Sequence, residues 1–302
     1  MTSPADLAEL VRAPAALSVP GDVFAGAAAA GTLGPRTPAL AGASVLLYWA
    51  GMAANDWADR RLDAVERPER PIPSGRVSPP AAFGLAAGLT AAGLALATAA
   101  GGRRAAAVAL PLAATVWGYD LAAKNTAAGP AVMAACRGLD VLLGASGGRL
   151  RRAVPAAVTV AAHTWTVTAL SRREVSGAEA GLPLRTLAGT ALVAAAAATP
   201  PAATRTRSTG DPTRAPARLA RVATALPAVL AGWYAARYGA AQARVVAEPS
   251  AGRVRAAVGA GITGLPALQG ALTARSGAGL LGLAVAAAAP LGRRLARKVS
   301  PT

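Results

Sequence analysis

The stretch Asn55-Asp56-Trp57-Ala58-Asp59-Arg60-Arg61-Leu62-Asp63 holds three of the eight aspartates in the whole chain. It follows an apolar block, and the basic, proline-rich run from Arg67 to Pro79 comes soon after it. On a helix, Asn55, Asp59 and Asp63 are spaced four residues apart, so their side chains lie roughly along one face. Three oxygen-bearing side chains aligned at the end of an apolar helix predict a site for a hard cation such as Mg²⁺.

The composition indicates a membrane protein. The chain has 302 residues, of which 54% are hydrophobic and only 15% charged, and its mean hydropathy is +0.40. The apolar residues form blocks of roughly twenty, the length that crosses a bilayer as a helix. These blocks include residues 39–54, 80–100, 105–123, 153–170 and 182–198. Their number and regularity predict a polytopic helix bundle of nine to ten transmembrane helices.

The charge pattern favours a lipid bilayer over nucleic acid as the partner. The net charge of +17 comes from 29 arginines and two lysines against 14 acids. A soluble chain with this excess would suggest nucleic acid binding. Here, however, the arginines mostly separate the apolar blocks, where they can contact anionic headgroups. Their distribution over the loops predicts a multi-pass protein of the cell membrane, with the loops at residues 55–79, Lys124 and Arg172 on the cytoplasmic side.

The chain is predicted to form a single domain over residues 1–302, with a polar linker near residues 199–217. Within a further, less apolar block at residues 129–146, Arg137 and Asp140 are three residues apart and can face one another on a helix. Ionisable side chains at membrane depth suggest a functional role. An internal ion pair that satisfies both groups explains them equally well.

Several motifs in this chain resemble those of a known family. Asn55-x3-Asp59-x3-Asp63, followed by Glu66-Arg67-Pro68 and Arg70-Pro71-Ile72-Pro73-Ser74-Gly75, resembles the first signature of the UbiA-type intramembrane prenyltransferases. Three further segments are similar to a UbiA-like subgroup that includes the EboC-type proteins: Val19-Pro20-Gly21-Asp22, Tyr119 with Lys124-Asn125-Thr126, and Met133 with Cys136-Arg137-Gly138-Leu139 and Leu142-Leu143-Gly144.

This resemblance implies an all-α bundle of about nine transmembrane helices around a central cavity. It also implies a Mg²⁺-dependent transferase that moves a prenyl group from a prenyl diphosphate to a hydrophobic acceptor, either aromatic or lipid-like. That chemistry needs positive charge at the leaving diphosphate and a dry apolar space for the isoprenoid chain.

The resemblance also assigns roles to residues. Asn55, Asp59 and Asp63 would be the metal ligands, and Asp59, Asp63 and Lys124 would be the catalytic residues. The diphosphate-binding residues that it implies or suggests are Asn55, Asp56, Arg67, Arg70, Tyr119, Arg172 and Arg173.

The chain departs from the family where a second aspartate motif should follow the sixth helix. The segment Ser171-Arg172-Arg173-Glu174-Val175-Ser176-Gly177-Ala178-Glu179 contains no aspartate. Either Arg172 and Arg173 pair with the diphosphate directly, or the two-motif chemistry is lost. In the second case the chain would be a non-catalytic carrier or assembly component for an isoprenoid or another hydrophobic metabolite. The transferase is the main prediction.

Overall fold

A computed structural model of the chain describes residues 2–13, 18–179, 181–199 and 217–288. These residues form ten α-helices and one π-helical turn, and they contain no strand, so the all-α class is confirmed. The predicted linker lies outside the described residues except at its two ends. The helices are α1 (Pro4–Leu10), α2 (Pro20–Ala30), α3 (Thr37–Glu66), α4 (Pro79–Gly118), α5 (Gly129–Gly144), α6 (Leu150–Ser171), α7 (Gly181–Ala198), α8 (Ala217–Ala247), α9 (Ala251–Arg275) and α10 (Gly279–Ala288).

Prolines mark the start of the helices in the first half of the chain. Pro20, Pro38, Pro79 and Pro130 stand at the first or second position of α2, α3, α4 and α5. Proline fits there because the first turn of a helix does not use its backbone N–H groups. Pro20 therefore begins α2.

Helix α4 reverses direction in its middle. Phe83 and Trp117 are 34 residues apart, which would separate them by about 51 Å on a straight helix. Their rings are nevertheless 5.9 Å apart. The reversal occurs at Gly102, whose φ of 64° and ψ of −158° suit glycine but not residues with a Cβ. Two antiparallel limbs result, as the sequence predicted from the break between the apolar blocks at residues 80–100 and 105–123.

Four helical stretches in the described residues are long and apolar enough to cross a membrane. They are Thr37–Glu66, Pro79–Ala123, Leu150–Ser171 and Gly181–Ala198. The second of these contains both limbs of α4. The remaining described helices are shorter or less apolar. Among them, α8 packs against α9, and α5 packs against α6, which is one of the four stretches.

The predicted loops meet at one end of the bundle. Lys124, after α4, lies 2.6 Å from Asp59 on α3. Arg172, after α6, donates a hydrogen bond to the carbonyl of Thr126, and the Ala178 N–H donates to the carbonyl of Pro249, between α8 and α9. These contacts bring the loops together at one end of the bundle, and their position on the cytoplasmic side stays a prediction.

Helices α2 and α5 touch through their backbones. Gly26 on α2 lies against the backbone of Val141, and Gly144 on α5 lies against the backbone of Val23, so that a Cβ on either glycine would overlap the opposite helix. This close approach brings Asp22 on α2 against Arg137 on α5, with 2.8 Å between the Oδ2 and Nε atoms. Arg137 and Asp140 of α5 line the cavity described below, so α2 supports one of its walls from behind.

Candidate active site

One face of α3 carries both the acidic residues and the wall of a cavity. Ser44, Leu47, Tyr48, Gly51, Met52 and Asn55 all line this cavity. Their spacing of three and four residues makes a continuous stripe along the helix. Asp59 and Asp63 continue the same progression beyond the cavity. The acidic group that the sequence predicted therefore stands at the mouth of a cavity.

Each carboxylate in this group has a basic partner. The Asp59 Oδ1 lies 2.6 Å from the Lys124 Nζ, and the Asp63 Oδ2 lies 2.7 Å from the Arg70 Nη1. The same Arg70 nitrogen is 3.4 Å from the Asp56 Oδ1. Arg70 thus folds the proline-rich loop back onto α3. Asp56 and Asp63 are buried, while Asp59 is half-buried.

Arg67 is more peripheral than Arg70. Its Nη1 lies 3.9 Å from the Asp63 Oδ1, and its side chain is about half exposed. Such an exposed pair contributes little to stability. The guanidinium of Arg67 is thereby left accessible at the rim of the mouth.

A π-helical turn at Tyr119–Ala123 ends the second limb of α4. It is closed by a hydrogen bond of 2.9 Å from the Lys124 N–H to the Tyr119 carbonyl. Turns of this kind occur often at functional sites. Here the turn presents Asp120 and Tyr119 to the cavity and Lys124 to Asp59.

Asp120, which directly follows Tyr119 in the sequence, also lies inside the site. Its Oδ1 accepts a hydrogen bond of 3.0 Å from the Asn55 Nδ2, and the side chain is buried. The position directly after Tyr119 is the only sequence signal for it. Asn55 and Asp120 together join α3 to α4 at the top of the cavity.

Sequence reasoning missed Arg12. This residue follows α1, adopts a positive φ of 48°, and donates a hydrogen bond of 2.9 Å from its Nη2 to the Asp56 Oδ1. A positive φ is unfavourable for arginine, so the local fold must hold it in place. Arg12 also lines the cavity. Its separation in sequence from the acidic stretch gave no hint of this contact.

Arg172 and Arg173 behave differently although they are neighbours. Arg172 donates to the Thr126 carbonyl, in the turn that follows Lys124, so it lies beside the rim of the site. Arg173 is exposed. The structure therefore brings Arg172, but not Arg173, into contact with an element of the site.

Two glutamates, Glu174 and Glu179, lie in the segment where the family has its second aspartate motif. The carbonyl of Glu174 accepts a hydrogen bond of 2.7 Å from the Arg255 Nη1. Burial raises the pKa of the Glu174 carboxyl, and the charge of Arg255 opposes that rise. Glu179 is exposed. Neither side chain has a recorded contact with Asp59 or Asp63 in the described part of the chain.

The cavity has a volume of about 250 Å³. Between its polar ends the wall is mostly apolar and is built by α3, α4 and α5. The residues of this middle zone include Leu47, Met52, Leu112, Val116, Met133 and Cys136. A dry pocket below a cluster of cations and carboxylates suits an amphiphilic ligand that has an anionic head and a hydrocarbon tail.

The arrangement of helices matches solved structures. One is a digeranylgeranylglyceryl phosphate synthase, with a TM-score of 0.65 and 15% identity over 90% of this chain and 97% of that one. Another is a UbiA homologue from Aeropyrum pernix, with a TM-score of 0.62 and 21% identity over 88% of this chain and 96% of that one. At these identities the likeness establishes the fold.

The sequence model of the UbiA prenyltransferase family matches residues 19–238, which is more than two thirds of the chain. The chain belongs to the UbiA prenyltransferase family. The acidic face of α3 lies within the matched region, and so do all the residues that line the cavity except Arg12.

Curated relatives share short, well-matched segments with this UbiA protein. The digeranylgeranylglyceryl phosphate synthase of Methanothrix thermoacetophila is 57% identical over 49 residues, or 16% of this chain and 18% of that protein. The bacteriochlorophyll synthase 33 kDa chain of Rhodobacter capsulatus is 61% identical over 33 residues, or 11% of this chain and 10% of that protein. The chain therefore aligns with less than a fifth of either of these relatives.

The donor set at the mouth fits Mg²⁺ in one particular way. No three His, Cys, Asp or Glu side chains converge as metal ligands within the described residues. Mg²⁺, however, is commonly held by one or two carboxylates, with substrate phosphates and water completing its six ligands. Asp59 and Asp120, beside the amide of Asn55, offer that kind of donor set. Asp63 is paired with Arg70, and its role as a metal ligand stays a prediction.

Proposed function

We propose that this UbiA family member is a membrane-embedded prenyltransferase that moves a prenyl group from a prenyl diphosphate to an aromatic or lipid-like acceptor. The observation that supports this most strongly is the single stripe on α3, which joins Asn55 and Asp59 to an apolar cavity one to three turns below. A prenyl diphosphate has the same division into a charged head and a hydrocarbon tail.

In the proposed reaction, the bond between C1 of the prenyl chain and the diphosphate oxygen breaks, and the electron pair leaves with the diphosphate. The acceptor nucleophile then bonds to the allylic carbocation and loses a proton. Mg²⁺, held by Asn55, Asp59 and Asp120, would neutralise charge on the leaving diphosphate. Asp63, in the row predicted from the sequence, remains a further candidate ligand.

The basic residues of the mouth would stabilise the departing diphosphate. The Lys124 Nζ is buried and has no hydrogen-bond acceptor in the described part of the chain, although Asp59 is within ion-pair distance. An ammonium group has three donors, so it can contact Asp59 and a phosphate oxygen together. Arg12, Arg67, Arg70 and Arg172 surround this position, and Tyr119 borders it from the cavity. Arg173 remains a weaker candidate because its side chain contacts no element of the site within the described residues.

Bound Mg²⁺ and the arginines would act at the end of the bundle that carries the predicted cytoplasmic loops. The arginine content of these loops supports a position of this end on the cytoplasmic side of the cell membrane. Three aromatic rings from this end, Trp57, Phe83 and Trp117, lie in contact, with centroids 5.0 and 5.9 Å apart. Aromatic rings gather at membrane interfaces, which supports a diphosphate site near the level of the lipid headgroups.

The test is release of diphosphate by the purified protein in detergent, with Mg²⁺, a panel of labelled prenyl diphosphates and a panel of aromatic and lipid-like acceptors. We expect release with the wild-type chain and none above background with Asp59→Ala. Arg103→Gln, an exposed change at the opposite end of the bundle, serves as the control. Tight binding of prenyl diphosphates without any turnover would instead identify the carrier that the altered second motif suggested.

A further inference from the structure

The inner end of the cavity is polar, in contrast to its middle. Ser44, Arg137 and Asp140 line it there. Ser44 is 11 residues from Asn55 on the same face of α3, which places the inner end about 16 Å below the mouth. The cavity therefore runs from one polar zone to another, with mostly apolar side chains between them.

The groups at this inner end are already bonded to one another. The Asp140 Oδ1 accepts a hydrogen bond of 2.5 Å from the Ser44 Oγ. The Arg137 Nε lies 2.8 Å from the Asp22 Oδ2. The Gln269 Nε2, from α9, donates to the Asp22 Oδ1 at 2.7 Å. Four helices thus contribute to one buried polar cluster, which consists of Asp22, Ser44, Arg137, Asp140 and Gln269. Arg137 and Asp140 on α5 do not form the ion pair that the sequence suggested, because Arg137 pairs with Asp22 of α2.

Contact between this polar cluster and a hydrocarbon chain would be energetically unfavourable. An isoprenoid has no polar atom that could replace Ser44 as a partner for Asp140, or Asp22 as a partner for Arg137. Passing between these groups would separate opposite charges in an apolar bundle, where unpaired charges are strongly unfavourable. The cluster therefore acts as an end wall and not as a continuation of the apolar zone.

We infer that the polar cluster limits the prenyl chain to about the length of a farnesyl group. This rests on the proposed function, in which the diphosphate occupies the mouth. Standard bond lengths and angles give about 1.25 Å of chain per carbon–carbon bond, so the extended main chain of a farnesyl group measures about 14 Å and that of a geranylgeranyl group about 19 Å. Only the first fits within the distance between Asn55 and Ser44.

Two variants separate polarity from size at the end wall. Ser44→Ala combined with Asp140→Leu removes both partners of one hydrogen bond, which is tolerated better than removal of either partner alone. It also leaves Arg137 and Asp22 as a pair of balanced charge. Asp140→Asn keeps the shape and the hydrogen bond but removes the formal charge. We expect the double variant to accept longer chains and Asp140→Asn to keep the wild-type limit.

The experiment measures dissociation constants for non-ionisable geranyl, farnesyl and geranylgeranyl thiolodiphosphates, with Mg²⁺ and the full chain in detergent. For the wild type and Asp140→Asn we expect farnesyl to bind at least about tenfold more tightly than geranylgeranyl, a ratio that corresponds to about 1.4 kcal/mol. For the double variant we expect the two to bind within about threefold of one another.

Wild-type binding of geranylgeranyl at least as tight as that of farnesyl would overturn the inference while leaving the proposed function intact. The same holds if the double variant retains the wild-type preference. A wild-type protein that binds none of the three analogues would overturn both, and Asp59→Ala distinguishes specific binding at the mouth from partition of the ligand into detergent.

Discussion

The Nζ of Lys124 lies 2.6 Å from the Oδ1 of Asp59, and this ion pair joins the end of α4 to the acidic face of α3. The pair fixes a cation beside the carboxylate at the mouth of the cavity. It depends on the π-helical turn that precedes Lys124, because that turn sets the direction in which the lysine leaves α4.

Replacement of Lys124 should impair ionisation of the diphosphate more than its binding. We expect Lys124→Met to lower kcat for diphosphate release by about 100-fold, or roughly 2.7 kcal/mol, since a cation at a leaving group acts mainly in the transition state. Steady-state kinetics of the variant and of Arg103→Gln provide the comparison. A change confined to KM would assign Lys124 to substrate binding only.

The pairing of Arg70 with Asp56 and Asp63 should stabilise the fold as well as the site. Arg70→Met leaves two buried carboxylates with weaker partners, so we expect a loss of about 3 kcal/mol in unfolding free energy. The double variant Arg70→Met/Asp63→Asn should recover part of this loss, because it removes one of those charges. Thermal unfolding in detergent measures both, and equal Tm values for the single and double variants would contradict the proposed coupling.

Arg172 and Arg173 form a matched pair of neighbours with different surroundings. Both are exposed, but the Arg172 side chain donates a hydrogen bond to the turn that follows Lys124, whereas the Arg173 side chain has no such contact within the described residues. We expect Arg172→Ala to lower kcat/KM about tenfold, a loss of roughly 1.4 kcal/mol, and Arg173→Ala to change it less than about twofold. Diphosphate release under identical Mg²⁺ concentrations measures the difference. Equal effects would show that the two arginines act through general surface charge.

The metal requirement should depend on the two carboxylates at the mouth. We expect chelation by EDTA to abolish diphosphate release, and added Mg²⁺ to restore it. Asp120→Asn should raise the Mg²⁺ concentration for half-maximal activity by about tenfold. Glu248→Gln, at an exposed acid between α8 and α9, should leave that concentration unchanged. Activity that survives exhaustive chelation would exclude the Mg²⁺ site.

The docking of α1 should be insensitive to pH across the neutral range. Hydrogen bonds from the Ser3 side chain and backbone, together with Arg76, lower the pKa of Asp6 to about 2. Because this folded-state pKa is below the ordinary value of 3.8, the contribution to docking is complete above pH 3.8 and is lost as the pH falls towards 2.

A spin label at Leu7→Cys, in a Cys136→Ala background, reports this docking through its mobility. We expect no change between pH 8 and pH 5, and increased mobility only below about pH 4. Arg76→Gln should release α1 already at pH 7, because Arg76 also binds Glu9 at 2.7 Å. Arg61→Gln, an exposed change on α3, is the control, and a transition near pH 6 would point to a different group.

Local patterns in the sequence predicted the helical class, the break in α4 and the acidic face of α3, because each depends on residues close together in the chain. Proline and glycine marked the helix boundaries, and the spacing of Asn55, Asp59 and Asp63 placed them on one side. The basic loops at one end followed from the same alternation of apolar and polar stretches.

Contacts between distant parts of the chain were not accessible in this way. Arg12 meets Asp56 across 44 residues, and Gln269 meets Asp22 across 247. The partner of Arg137 depends on how closely α2 and α5 approach, which local spacing does not specify. The π-helical turn before Lys124 has no distinctive composition either, so the sequence could suggest a role for Lys124 but not its partner.

The continuity of α3 has an evolutionary consequence. A single inserted or deleted residue between Ser44 and Asn55 would rotate one end of the helix against the other by about 100°. The carboxylates and the cavity wall would then no longer share a face. We therefore expect this part of α3 to diversify by substitution at constant length, while the loop that precedes α3 remains free to vary in length.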